Sequence, residues 1–259
     1  MKVIGVIPAR WGSTRFEGKP LADILGKTMI RRVYEAAEGA KSLDRIIVAT
    51  DDRRIYDECS GFGADVMMTH PEHPSGSDRV AEAAQKTDGD IYVNIQGDEP
   101  LLHPENIDLA VRPLLDDPEI NFSTLKTDIK NIEELFDINR VKVVTDKNDF
   151  ALYFSRLPIP LAREPEINNI SFEEMLKQKA HLWKFYFIQI GLYVFRRDFL
   201  FTFTSLPPSP LEKLEKLEQL RALENGYRIK VVYTEKDSIG VDSPQDLDRI
   251  IKILKKEKK

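Results

Sequence analysis

Val3-Ile4-Gly5-Val6-Ile7 runs directly into Pro8-Ala9-Arg10-Trp11-Gly12-Ser13-Thr14-Arg15-Phe16-Glu17-Gly18-Lys19-Pro20. The unbroken, mostly β-branched run predicts a strand buried on both faces, as in the middle of a parallel sheet. The spacing predicts a helix over 29–40, with Ile30, Val33, Tyr34 and Ala37 on one face. Arg45–Thr50 reads as the next strand, and Asp51-Asp52 as the cap of a helix carrying Ile55 and Cys59. A short strand at Val66–Met68, a helix over 77–86, a strand over 91–95 and a helix over 104–115 with proline in its first turn continue the alternation. The expected fold is therefore α/β, a mainly parallel sheet with helices on both faces.

After about residue 120 the pattern changes. Strand-like segments at 122–126, 141–145, 151–155 and 187–195 have few helices between them. Residues 157–183 hold prolines, charges and one short helical stretch, and read as an inserted lobe or arm within a strand-rich region over about 121–200. A leucine-rich helix at 211–224, a strand at 229–233 and a helix from Pro244 close the chain. One α/β domain over 1–259 is expected, with breaks in character near 120 and 200.

Composition excludes several classes. Hydrophobic residues at 42% and charged residues at 31% exclude a disordered chain. With 43 acidic and 38 basic side chains the net charge is −5, which argues against nucleic-acid binding by phosphate neutralisation. The single cysteine, Cys59, excludes an internal disulfide and a thiolate zinc site. His70 and His73 lack a third nitrogen or sulfur ligand, so zinc is not expected there either. The most apolar segment, 182–195, is interrupted by Lys184 and Gln189, so no membrane span and a cytoplasmic location are expected.

The turn after the first strand carries two glycines, two hydroxyl residues, two arginines and a lysine. Ligands of parallel α/β sheets bind beyond the carboxyl ends of strands. Glycine lets backbone N–H groups approach phosphate oxygens, and Arg and Lys neutralise them. The spacing is not that of a Walker A loop: five residues separate Gly12 from Gly18, and Pro20 follows Lys19. Nor does Gly61-Phe62-Gly63, which precedes a strand and lacks a third glycine, make a dinucleotide fingerprint.

The chain carries, in this order, the blocks PAR-x-x-STR-x-x-GKPL at 8–21, RIIVATDD at 45–52, HPSGSDR at 73–79, VNIQGDEP at 93–100, ALYFSR at 151–156, IGLY at 190–193, EKLEQLR at 215–221 and GVDSPQDL at 240–247. They resemble the sugar nucleotidyltransferases that activate acidic sugars as CMP conjugates, above all the 3-deoxy-manno-octulosonate (Kdo) cytidylyltransferases. The resemblance implies a nucleotide-diphospho-sugar-transferase-like fold, with the nucleotide bound by about 1–120, the sugar site and a homodimer contact in the lobe 121–200, and closing elements over 201–259. It implies transfer of CMP from CTP to Kdo for lipopolysaccharide assembly, with Mg²⁺.

Residue by residue, the same resemblance assigns Ala9, Arg10, Arg15, Lys19, Ser75, Gly76, Arg79 and Gln96 to CTP. It assigns Asp98 and Asp242 to the metal, and Lys19, Arg10, Asp98 and Asp242 to catalysis. Gln96, Tyr153, Arg156, Gln189, Tyr193, Glu218 and Gln219 fall to Kdo. Hard carboxylate oxygens suit Mg²⁺, and a planar guanidinium at Arg156 suits a sugar carboxylate. Local readings stand beside these. Asp242 is also positioned to cap the last helix. On a continuous helix, Glu218 falls on an apolar face and pairs with Arg221 three positions on. Four departures mark this chain: Phe16-Glu17 for Leu-Pro, Thr28 for proline, a longer 165–183 segment, and Gln189 where many members carry histidine. Gln189 keeps open an 8-amino-Kdo or sialate acceptor, and a non-catalytic nucleotide-binding regulator is the reading outside the class.

Overall fold

In the computed structural model, which describes residues 1–12 and 16–257, seven strands form one row and a hairpin joins it from the side. Strand β1 (Val3–Ala9) lies between β2 (Arg45–Thr50) and β4 (Ile91–Asn94), with β3 (Val66–Met68) outside β2, all parallel. Beyond β4 come β8 (Phe187–Arg196), β5 (Phe122–Asp128) and β9 (Lys230–Tyr233). Strand β8 is antiparallel to both neighbours, while β5 and β9 are parallel to each other. Six of the row's strands therefore share one direction, and β8 alone runs against them. The hairpin β6 (Lys142–Thr145) and β7 (Ala151–Ser155) attaches to β8 through β6.

The alternation of side chains along β1 explains its unbroken apolar run. Val3, Ile7 and Ala9 join one core with α1 (Met29–Ala37), α2 (Arg53–Gly61) and α4 (Pro104–Asp116). Ile4 and Val6 point the other way, into a core with α3 (Gly76–Gln85) and α7 (Arg197–Ser205). A strand covered on both faces has no polar side to show. Asp52 caps α2, its side chain accepting from the Arg54 N–H.

The length mismatch between β4 and β8 shapes the cleft. Asn94 ends β4 and pairs with Tyr193, so residues 187–192 of β8 run past the end of β4. That overhang carries Gln189 and Gly191 alongside the Gln96–Glu99 turn. A smaller lobe core forms from α5 (Ile132–Phe136), α6 (Phe172–Gln178) and β8, through Ile132, Leu135, Met175, Leu176 and Ile188.

Three expectations need correction. The first helix ends at Ala37 rather than residue 40. The region after 120 holds more helix than its strand-rich pattern suggested: α6 is the short helical stretch expected within 157–183, but α5 and α7 were not expected. The aromatic, β-favouring stretch of α7 reads as strand by propensity, yet Phe199, Leu200 and Phe203 are buried together against Phe122 and Phe195 at helical spacing. Lastly, the leucine-rich segment is not one helix. It breaks into α8 (Pro210–Glu215) and α9 (Leu220–Glu224), with Lys216 left-handed at φ 55°.

That break removes the Glu218–Arg221 pair expected on a continuous helix. Arg221 instead reaches Glu212, at 2.9 and 2.6 Å. The carbonyls that the break exposes are met from outside, Arg156 donating to those of Glu215 and Lys216. Helix α10 (Pro244–Glu257) returns the chain to its start, where Val241 and Ile250 pack with Ile24 and Met29.

Candidate functional site

The turn after β1 is held by its tryptophan. Trp11 donates from its indole to Glu17, and the Arg54 guanidinium lies 3.3 Å from the ring centroid. Gly18 stands at φ 67°, where a Cβ would meet the Trp11 ring at 2.9 Å, so both the backbone and the packing require glycine. A single turn of 3₁₀ helix follows at once, with Pro20 buried. Lys19 is thereby aimed back across the end of the sheet.

There it meets two carboxylates. Lys19 Nζ donates to Asp98 at 2.5 Å and to the Val241 carbonyl at 2.8 Å, and lies 3.8 Å from Asp242. Residues 144 positions apart thus share one ammonium. Backbone pairing fixes the approach, with the Val241 N–H donating to the Asp98 carbonyl at 2.9 Å. The helix-cap reading of Asp242 is corrected here. Ser243 caps α10 in a reciprocal exchange with Asp246. The Asp242 carboxylate turns to Lys19 instead.

Two cavities meet at this point. The smaller, about 280 Å³, is lined by Ala9, Arg10, Lys19, Ser75, Gly76 and Arg79. Ser75 is the N-cap of α3 and accepts from the Asp78 N–H. Arg79 is buried and anchored, donating to Asp51 at 2.9 Å and to Thr69, so it ties α3 to the ends of β2 and β3. A Cβ at Gly97 would lie 2.9 Å from the Pro8 carbonyl oxygen, so glycine lets the turn after β4 close on the end of β1. Arg15 lies outside the described residues.

The larger cavity, about 460 Å³, is lined by Gln189, Tyr193, Glu218 and Gln219, among others. Gly76, Gln96, Asp98 and Asp242 line both cavities. The aspartates therefore stand at the junction, where a group bound on one side would touch a group bound on the other. Gln219 donates to Gln189 at 2.7 Å and accepts from the Tyr193 hydroxyl at 3.2 Å. Gln189 donates in turn to Thr124. These contacts orient a buried amide against the cavity with no charged group in the chain.

Tyr153 and Arg156 do not line either cavity. Arg156 sits behind the break between α8 and α9, donating to the carbonyls of Ile138, Glu215 and Lys216. Glu215 also receives Ser155 and the Arg156 N–H.

Several lining groups carried no mark as ligand residues in the sequence, Arg140, Asp237 and Glu99 among them. Arg140 and Asp237 form an ion pair at 2.7 Å across 97 positions, and Arg140 also donates to the Ser238 carbonyl. Nothing local signals such a pair. Glu99, next to Asp98 in the turn after β4, has a carboxyl that accepts from Ser238. Burial first, then the neighbouring Asp98 charge, raise its pKa to about 7. His73 is held by Glu82 at the rim of the smaller cavity.

The family model described as Cytidylyltransferase matches residues 4–231. The 3-deoxy-manno-octulosonate cytidylyltransferase of Syntrophotalea carbinolica is 55% identical over 96% of this chain and 97% of that protein. The one from Geotalea uraniireducens is 50% identical over 99% of this chain and 100% of its own. Among solved structures, a CMP:2-keto-3-deoxy-manno-octonic acid synthetase complexed with CTP superposes with a TM-score of 0.88 at 37% identity, covering 99% of this chain and 100% of that one. A cytidylyltransferase from Leptospira borgpetersenii, 18% identical with a TM-score of 0.61 over 99% of this chain and 95% of its own, shares the fold.

Proposed function

The chain belongs to the cytidylyltransferase family, and from that premise we propose how its two joined cavities work. The activity is that of a Kdo cytidylyltransferase: CTP and Kdo give CMP-Kdo and pyrophosphate, the activated sugar for lipopolysaccharide assembly. The observation that carries the residue assignment is the junction at which Lys19, Asp98 and Asp242 converge between the cavities.

In this reading CTP occupies the smaller cavity. Ser75 and Gly76, at the start of α3, face the base, and Ala9, Gln96 and anchored Arg79 shape the floor. Arg10, Arg15 and Lys19 neutralise the triphosphate, where fixed positive charge counts most as charge moves toward the leaving group. Kdo occupies the larger cavity against Gln96, Gln189, Tyr193, Glu218 and Gln219. Its anomeric hydroxyl attacks the α-phosphorus in line, and pyrophosphate departs. Tyr153 and Arg156 serve the sugar from behind the α8–α9 break. Direct pairing of Arg156 with the sugar carboxylate requires its three carbonyl contacts to exchange.

Mg²⁺ is the proposed cofactor, and the residues fit it. Asp98 and Asp242 supply hard oxygens that already converge on one cation, the Lys19 ammonium. Among the described residues no group of three or more acidic, histidine or cysteine side chains gathers to hold a metal. Phosphate oxygens and water would complete the shell, the usual arrangement for this ion. When bound, the ion neutralises phosphate charge and favours ionisation of the attacking hydroxyl.

A homodimer through the lobe is part of the proposal, supported by Leu152, Leu157, Leu161 and Phe185, each more than half exposed. The cytoplasm, where CTP is made, is the proposed compartment.

Pyrophosphate release from CTP with Kdo, 8-amino-Kdo or sialic acid tests the assignment. Kdo should be favoured by about tenfold or more in kcat/KM. Faster turnover of either rival sugar would reassign the acceptor. CTP binding without pyrophosphate release would make the protein a regulator.

A further inference from the structure

We infer that Ser77, a residue of α3 that lines neither cavity, is a positioning residue for the sugar. It acts by holding Glu218 and so links the nucleotide end of α3 to the Kdo pocket. The inference rests on the assignment of Glu218 to Kdo made above.

Ser77 is fully buried in the first turn of α3. Its hydroxyl is used in both directions, donating to Glu218 Oε1 at 2.7 Å and accepting from Asn94 Nδ2 at 3.3 Å. Asn94, almost fully buried at the end of β4, accepts in turn from Gln96 Nε2 at 3.5 Å. Gln96, Asn94, Ser77 and Glu218 thus form one chain of side-chain hydrogen bonds beneath the wall between the cavities. Its first member lines both cavities, and its last lines the larger one.

Glu218 needs such a tether. It sits in the non-helical turn between α8 and α9, so no continuous helix fixes its backbone. Its carboxyl has a pKa raised by desolvation, opposed first by the hydrogen bond from Ser77. Ser77 belongs to the end of α3 whose first residues, Ser75 and Gly76, border the smaller cavity. A nucleotide seated on that end therefore rests beside the residue that aims Glu218. A hydroxyl serving only to satisfy a buried polar group would affect stability, or both substrates alike. A tether affects the sugar selectively.

Steady-state kinetics with CTP and Kdo varied separately tests this. Wild-type turnover of Kdo checks the functional reading itself, and Glu218→Gln checks that Glu218 serves the sugar. Given both, Ser77→Ala should raise the Kdo KM about tenfold, the loss expected for a buried hydrogen bond to a charged group. The CTP KM should stay within about twofold, and Ser77→Thr, which keeps the hydroxyl, should recover most of the loss. In the double variant, Ser77→Ala should add little to Glu218→Gln. If Ser77→Ala does not fold, Ser77→Cys holds the volume and weakens the donor, and the same selective rise is expected. An unchanged Kdo KM, an equal rise in both KM values, or full additivity with Glu218→Gln would overturn the inference.

Discussion

The two halves of the cleft are built by different means. On the nucleotide side, each group sits at or just past the end of a parallel strand, or at the start of the helix that follows β3. Ala9 ends β1, Ser75 caps α3, and Gln96 and Asp98 follow β4. On the sugar side, Gln189 and Tyr193 come from the middle of the one strand in the row that runs backwards, and Glu218 and Gln219 from a broken helix. The first half follows from chain order and strand direction. The second depends on tertiary contacts that decide where a strand overhangs and where a helix stops. One half is a property of the sheet, and the other is a property of what is packed against its end.

That contrast can be broken at defined points. The largest effect belongs to the junction. Asp98→Asn should lower kcat on the order of 100-fold while leaving the fold intact, because it removes charge where the phosphate reacts. Circular dichroism beside a turnover assay checks both parts, and a kcat above about a tenth of wild type would detach Asp98 from the chemistry.

A smaller and selective effect belongs to the sugar side. Arg156→Ala frees the carbonyls of Glu215 and Lys216, and should raise the Kdo KM by about tenfold with little change for CTP. Equal effects on both substrates would mean that the α8–α9 break serves the whole cleft. The smallest effect is on stability. The Glu99 pKa is raised in the fold to about 7, so between the unfolded carboxyl's pKa and that value the unfolded chain binds fewer protons. Stability from this group is present at low pH and lost as pH rises through that window. Melting scans from about pH 5 to about pH 7 should show a decline that Glu99→Gln lessens. Parallel curves would place the titration elsewhere.

The same contrast explains what was legible in the sequence. Buried β-branched strands, caps such as Asp52 and Ser75, and the motif after each strand are local, and the parallel row was readable from them. The convergence of Asp98 and Asp242 was expected from the resemblance, which assigns both to the metal, and no local pattern shows it. It is realised through Val241, which packs with Ile24 and Met29 and pairs with the Asp98 backbone. The helix break at Lys216 was not legible, because Glu215-Lys216-Leu217-Glu218 carries no glycine or proline. What accompanies the break lies elsewhere in the chain, in Ser155, Arg156 and Ser77. Helix α7 was missed for the opposite reason: its phenylalanines favour strand locally, and only the aromatic cluster around Phe122 and Phe195 shows the helix.

The central claim is that one lysine and two distant aspartates place CTP, an acidic sugar and a divalent cation at a single junction. Pyrophosphate release measured with CTP alone, with CTP and Kdo in Mg²⁺, and with the same mixture in excess EDTA tests it most directly. Release only when sugar and Mg²⁺ are both present is the predicted result. Release that continues undiminished in EDTA, or that needs no sugar, would contradict it.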